Sequence, residues 1–201
     1  MHMGKLRWYH GIKPVLISDK GGLFFVMQSR RSRKEMVLLT GADGVRSTAK
    51  GILVENGKVL LNRCRDKYNG DYYSLPGGGQ EKYEDIEDSL RREMLEETGY
   101  RVTGIRFAGL FEEICDDAEY RREYPQYSHK MYHFFVCRPE SMLREAVTEM
   151  DDSQLSCDWV PVEELSSLNI HPRVLGKNLR AMIEHETPLF LGTDHVSLPH
   201  G

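Results

Sequence analysis

Glu93, Glu96 and Glu97 stand at i, i+3 and i+4 in a stretch that reads as helix, so three carboxylates crowd one helical face. They also sit in the last turns, where the helix dipole disfavours negative charge. A helix built only for stability carries lysine there. The arrangement makes sense when a cation compensates it, and carboxylate oxygens with no soft ligand nearby suit a hard divalent ion, Mg2+ or Mn2+. Arg92 adjoins the trio and can hold one carboxylate in position. Upstream, Gly77, Gly78 and Gly79 free the backbone for a tight loop against the same helix. The plain alternative is a solvated acidic helix face.

The elements that must position these groups can be read on either side. Ile86, Leu90 and Met94 recur at helical spacing from Asp85 to Thr98, and Gly99 is placed to end the helix. Before it, residues 47–54 and 58–64 are β-like runs joined by Glu55-Asn56-Gly57, a hairpin signal. Tyr72–Leu75 reads as a short strand, and Pro76 to Gly79 breaks regular structure. After the helix, residues 102–114, 129–137 and 155–160 are β-like. A polar, tyrosine-rich loop separates the first two, and a short helix follows Pro161. Leu175, Leu179 and Ile183 mark a last amphipathic helix after Pro172. Interleaved strands and helices predict an α/β domain with a mixed sheet. Residues 12–18 and 23–28 read as two strands around Asp19-Lys20-Gly21-Gly22, with a third at Met36–Thr40. The domain organisation expected is an N-terminal extension over 1–45, a catalytic domain over 46–190 and a tail over 191–201.

Charge and cysteine usage narrow the function classes. The net charge of -4 hides an asymmetry: residues 1–45 carry eight Lys/Arg against three Asp/Glu, and the rest carries nineteen against twenty-eight. An acidic body that handles acidic phosphates needs a cation between them. Cys64, Cys115, Cys137 and Cys157 show no CxxC spacing, which argues against a zinc site or a disulfide framework and fits a cytoplasmic location. No apolar run approaches a membrane span.

Residues 78–100, GGQEKYEDIEDSLRREMLEETGY, fit the pattern G-x5-E-x7-R-E-U-x-E-E-x-G-U, with U a bulky apolar residue, at Gly78, Glu84, Arg92, Glu93, Met94, Glu96, Glu97, Gly99 and Tyr100. Tyr100 fills the last apolar place loosely. In this the chain resembles the Nudix, or MutT-like, hydrolases, from about Arg46 to about Glu186. The resemblance implies an α/β/α sandwich with the motif as loop–helix–loop. It implies that Glu93 and Glu97 are the principal metal ligands, that Glu96 contributes directly or through water, and that Glu84 supports the site or binds a further metal. Arg92 would orient a metal-binding glutamate, and Gly78 and Gly99 would allow the loop turns. Tyr83 departs from the glycine that relatives often carry just before the first glutamate.

The reaction the resemblance implies is hydrolysis of a nucleoside diphosphate linked to another moiety: a nucleoside triphosphate, an ADP-ribose-like compound or a dinucleoside polyphosphate. Mg2+ is the expected cofactor. The base that takes the water's proton is left open between Glu97 and the later Glu112, Glu113, Glu119, Glu140, Glu145 and Glu149. Arg63 and Arg65, just before the glycine loop, are candidate substrate contacts, with plain surface as the alternative. Tyr120, Arg121, Arg122, Tyr124 and Tyr127 could stack a nucleobase. Upstream and downstream signatures of the ADP-ribose, diadenosine polyphosphate, coenzyme A and NADH subfamilies are not matched. A competing reading is a non-catalytic nucleotide-sensing module of the same fold, but such modules lose motif glutamates and this chain keeps them all. A small-molecule nucleotide is the expected partner, with no membrane and a homodimer as the default assembly; a nucleic-acid contact through the basic extension is the less favoured alternative.

Overall fold

The computed structural model describes residues 15–19, 22–26, 44–148, 150 and 153–197. The chain divides into two units, Met1–Ala42 and Asp43–Gly201. In the first, β1 (Val15–Asp19) and β2 (Gly22–Val26) pair antiparallel with Asp19 opposite Gly22. The strand expected at Met36–Thr40 lies outside the described residues.

The second unit is a mixed sheet with a helix on each face. Its strands are β3 (Arg46–Glu55), β4 (Lys58–Asp66), β5 (Gly70–Ser74), β6 (Val102–Cys115), β7 (His129–Pro139), β8 (Gln154–Pro161), β9 (Ile170–His171) and β10 (Leu189–Val196). They run in the order β10-β6-β7-β3-β4-β5-β9, with β8 also on β4. β3 lies parallel to β7 from Arg46 opposite Lys130 to Leu53 opposite Cys137. Its antiparallel ladder with β4 is confined to Val54–Val59 and Glu55–Lys58, beside the Asn56-Gly57 turn. Beyond those pairs β3 and β4 part, and the gap is where the glycine loop enters.

Strand alternation decides which helix each residue meets. Ala49 and Leu53 on β3 and Leu60 on β4 pack with Leu90 and Met94 of α1 (Ile86–Thr98). Ile52 on β3 and Val59 and Leu61 on β4 pack on the other face with Leu175, Leu179 and Met182 of α3 (Val174–Glu184). Leu90 and Met94 are fully buried. Burying such side chains contributes about 1.5–3 kcal/mol each, so these two residues fasten α1 to the sheet. Gly51 lets them come close, since a Cβ there would meet the Met94 sulfur. α1 stops at Gly99, whose φ of 73° suits glycine and whose N–H donates to Leu95 O at 2.9 Å.

Two segments differ from the sequence expectation. The tyrosine-rich loop holds a short helix, α2 (Ala118–Glu123), capped by the Asp117 side chain, and a 3-10 turn at Pro125–Tyr127. Leu189–Val196, mostly within the stretch expected as a tail, forms strand β10 on the edge of the sheet, parallel to β6. Leu189 and Leu191 pack partly on the core around the exposed Phe190, but Thr193–His195 are exposed, so the alternation is too short to announce a strand and backbone pairing extends it. No helix among the described residues is long and apolar enough to cross a membrane.

Candidate active site

The glycine loop completes the open edge of β3. Gly51 N–H donates to Pro76 O and Ala49 N–H to Gly78 O, both at 2.9 Å, and Gln80 N–H donates to Ser47 O at 3.0 Å. The approach is so close that a Cβ on Gly77, where φ is 116°, would run into Ala49 O. A Cβ on Gly78 would fall on the Glu93 carboxylate, and one on Gly79 on the Arg46 guanidinium. The glycines therefore make room for two charged groups as well as for the turn.

Glu97 ties the end of α1 to this loop. It is 5% exposed, and its Oε2 accepts from Gly77 N–H and from Asn62 Nδ2 of β4, both at 2.9 Å. Arg92 organises the rest. Its Nε donates to Glu84 Oε1 at 2.8 Å and its Nη2 to Glu84 Oε2 at 3.0 Å. Its Nη1 reaches Glu93 Oε1 at 2.8 Å and Glu96 Oε2 at 3.0 Å, and Nη2 also reaches Gly79 O at 3.1 Å. One guanidinium thus spans three carboxylates and the glycine loop, where the sequence suggested it would hold one glutamate. The bidentate pair with Arg92 pulls the Glu84 carboxyl down to about 2 and raises Arg92. Burial outweighs the same arginine at Glu93 and pushes its carboxyl above the ordinary range.

Glu93, Glu96 and Glu97 line a cavity of about 630 Å³ together with Arg92, Glu81 and the three glycines. The facing wall carries Arg46, Lys50 and Lys130, with Thr48, Tyr127 and Tyr132. Lys50 Nζ donates to Gly77 O. Lys130, 5% exposed, pairs with the buried Glu113 at 2.5 Å, and Tyr132 OH donates to the same carboxylate at 3.3 Å. Among the described residues no three His, Cys, Asp or Glu side chains already form a metal-holding group. The reason is visible in the bonds: Arg92 draws Glu93 and Glu96 to itself, while Glu97 turns to Gly77 and Asn62.

Not every candidate reaches the cavity. Arg63 and Arg65 do not line it; both lie on the exposed side of β4 and pair with Asp71, Arg63 at 3.8 Å. Strand periodicity explains this, because Asn62 and Cys64 take the inner positions. Of the loop tyrosines and arginines only Tyr127 lines the cavity; Tyr120 and Tyr124 pack on each other with centroids 5.0 Å apart. Glu112, Glu113, Glu119, Glu140 and Glu145 are not lining residues, and Glu149 lies outside the described residues. Asn62, Lys50, Lys130 and Arg46 are site residues that sequence reasoning missed. Their one signal was a polar residue interrupting or opening an apolar strand.

The family model described as the NUDIX domain matches residues 45–181. The chain belongs to the Nudix family. It is 35% identical over 82 residues to an 8-oxo-dGTP diphosphatase of Buchnera aphidicola (subsp. Acyrthosiphon pisum), covering 41% of this chain and 57% of that one. A second 8-oxo-dGTP diphosphatase, from Buchnera aphidicola (subsp. Schizaphis graminum), is 34% identical over 58 residues, 28% of this chain and 45% of its own length. The chain thus spans about half the length of the curated relatives it matches. Among solved structures, a Nudix hydrolase of Nitrosomonas europaea superimposes with a TM-score of 0.58 at 17% identity, over 92% of this chain and 96% of that one. The MutT protein of Bacillus halodurans does so with a TM-score of 0.56 at 22% identity, over 75% and 90%. These likenesses establish the α/β/α Nudix fold.

Tyr83, where Nudix relatives often carry glycine, has a φ of 71° and is 93% exposed. The left-handed conformation costs a non-glycine residue about 1–2 kcal/mol, partly offset by the about 0.5–1 kcal/mol of chain entropy that glycine loses. Tyr83→Gly is therefore expected to stabilise the domain by about 0.5 kcal/mol, read as a higher urea midpoint at unchanged slope. A lower midpoint would show that the turn does not carry this strain.

Proposed function

We propose that this Nudix chain hydrolyses a phosphoanhydride bond in a nucleoside diphosphate linked to another group, with Mg2+ (or Mn2+) as cofactor. The observation that carries the reading is the cavity into which Glu93, Glu96 and Glu97 all face while Arg92 braces two of them. The donor set suits a hard divalent cation. Three glutamates, at positions 84, 93 and 96, share a single guanidinium, Glu97 lines the same cavity, and burial raises the proton affinity of Glu93. Glu93, Glu96 and Glu97 would hold the ion, with Glu84 keeping Arg92 in place. When bound, the cation supplies neutralisation of the diphosphate and a water of lowered pKa.

The chain's own groups do the rest. Arg92 fixes the spacing of Glu93 and Glu96. Gly77 N–H and Asn62 fix Glu97 through its Oε2 where it lines the cavity. Water attacks one phosphorus, the bridging P–O bond breaks with its electron pair leaving on the departing phosphate, and a lining carboxylate takes the water's proton. By position, Glu81, Glu93, Glu96 and Glu97 qualify for that last role. The diphosphatase names of the curated relatives support nucleoside triphosphates as members of the substrate class.

A panel of nucleoside triphosphates, ADP-ribose and nucleoside diphosphate sugars, assayed with Mg2+ and with EDTA for release of nucleoside monophosphate, tests the reading. Metal-dependent release from at least one class is expected. Nucleotide binding without release from any of them would favour the sensing module instead.

A further inference from the structure

The cavity has two walls of opposite imbalance. On the acidic wall several carboxylates share Arg92. On the facing wall stand Arg46, Lys50 and Lys130, of which only Lys130 pairs with a carboxylate, Glu113. Lys130 sits directly opposite Arg46 in the parallel β3–β7 ladder. Burial, together with the charges of Lys50 and Arg46, lowers its proton affinity against the pull of Glu113. Two of these cations are already engaged: Lys50 with Gly77 O and Lys130 with Glu113. Arg46 is different. Among the described residues it has no ion pair; its guanidinium lies 5.0 Å from the Tyr127 ring centroid and fills the space that the missing side chain of Gly79 leaves open.

Gly79 also links the walls, because its carbonyl accepts from Arg92 while its α-carbon faces Arg46. An anion lying along this loop would therefore meet the glutamate-bound end first and Arg46 next. A planar guanidinium held on one face by an aromatic ring keeps its edge N–H groups available, and that fork matches a phosphate.

We infer that Arg46 determines substrate specificity by binding a terminal phosphate on the departing half of the substrate. The preferred substrates are then nucleoside triphosphates and longer polyphosphates, not diphosphates capped by a neutral sugar. This rests on the hydrolase reading above. In the step proposed, the water oxygen bonds to the α-phosphorus and the α–β bridging bond breaks. The electron pair leaves on pyrophosphate, the water's proton goes to a lining carboxylate, and Arg46 holds the far phosphate of the pyrophosphate.

The test uses the full chain and three variants: Arg46→Gln, Arg46→Lys and Gly79→Ala. No left-handed φ is recorded at Gly79, and a Cβ there meets the movable end of Arg46, so Gly79→Ala displaces the guanidinium without deleting it. Two measurements are made: kcat and KM on dGTP and ATP beside ADP-ribose and UDP-glucose, and calorimetric titration of pyrophosphate beside nucleoside monophosphate, all with Mg2+. Arg46→Gln is expected to weaken pyrophosphate binding at least tenfold and monophosphate binding by less than threefold. The triphosphate loss should fall mainly on KM, on the order of ten- to fiftyfold in kcat/KM, with a smaller loss on sugar-capped substrates. Arg46→Lys should recover part of the loss, and Gly79→Ala should shift binding in the same direction as Arg46→Gln. Equal losses for pyrophosphate and monophosphate, or unchanged pyrophosphate affinity in both Arg46→Gln and Gly79→Ala, overturn the inference even if the wild type is active. A wild type that cleaves none of the substrates overturns the hydrolase reading, and with it this one.

Discussion

Glu97→Gln is expected to lower turnover on the nucleotide substrate by about 100-fold or more at saturating Mg2+, as removal of a charge-stabilising group from a shielded site does. The substitution is nearly isosteric. Glu97 Oε2 takes both Gly77 N–H and Asn62 Nδ2, so the amide oxygen of glutamine can accept the same two donors. What is lost is the carboxylate charge on a side chain that is 5% exposed and lines the cavity. Those two hydrogen bonds weaken from charge-assisted to neutral, which costs about 1 kcal/mol. That corresponds to a melting shift of about 2–4 °C for a chain of this size. Glu97→Ala separates the roles further. It leaves two buried donors without an acceptor, at about 1–3 kcal/mol each, so it should be as inactive and distinctly less stable. A Glu97→Gln enzyme that turns over near the wild-type rate would remove the basis for placing Glu97 in the metal-binding trio.

The helix and its acids were legible in the sequence because their signals are local. The spacing of Ile86, Leu90 and Met94, the stop at Gly99 and the glutamate cluster all lie within one stretch, and each agrees with the others. The glycine loop was legible for the same reason, since three glycines between a strand and a helix have few other uses. The opposite wall was not. Arg46 and Lys130 become neighbours only through the parallel register of β3 on β7, with more than eighty residues between them in the chain, and a single lysine or arginine in an apolar strand has no spacing to betray it. Asn62 was passed over in favour of Arg63 and Arg65. Charge drew attention to the arginines, but a strand turns successive side chains to opposite faces, and only Asn62 faces Glu97. β10 escaped notice because its alternation is confined to Leu189–Leu191, and the rest of this edge strand is held by backbone pairing without an apolar pattern.

Arg92→Met should be the most disruptive single change at the site, and it should make the protein's stability depend on Mg2+. The arginine bonds Glu84 at both oxygens, Glu93 and Glu96, and the side chains are only 15–30% exposed. Removing one partner from such a network strands the others, at about 3 kcal/mol, or a fall in melting temperature of about 6–12 °C. Mg2+ should restore more stability in the variant than in the wild type, because the ion then takes over the neutralisation that the guanidinium supplied, and linkage raises the stability of whichever state binds it. Sodium at equal ionic strength serves as the control for screening alone. The pH dependence follows from Glu84. Its folded carboxyl is held down to about 2, so in the wild type its contribution is complete above the unfolded value near 4.5 and is lost only as the pH falls toward 2. In Arg92→Met that contribution is absent at neutral pH, and the crowded carboxylates gain stability by taking up protons. The gap in melting temperature between wild type and variant should therefore narrow as the pH is lowered from 7 to 4. A gap that is constant across that range, with no extra response to Mg2+, would mean that Arg92 acts as a packing residue and that the acids around it were never short of a cation.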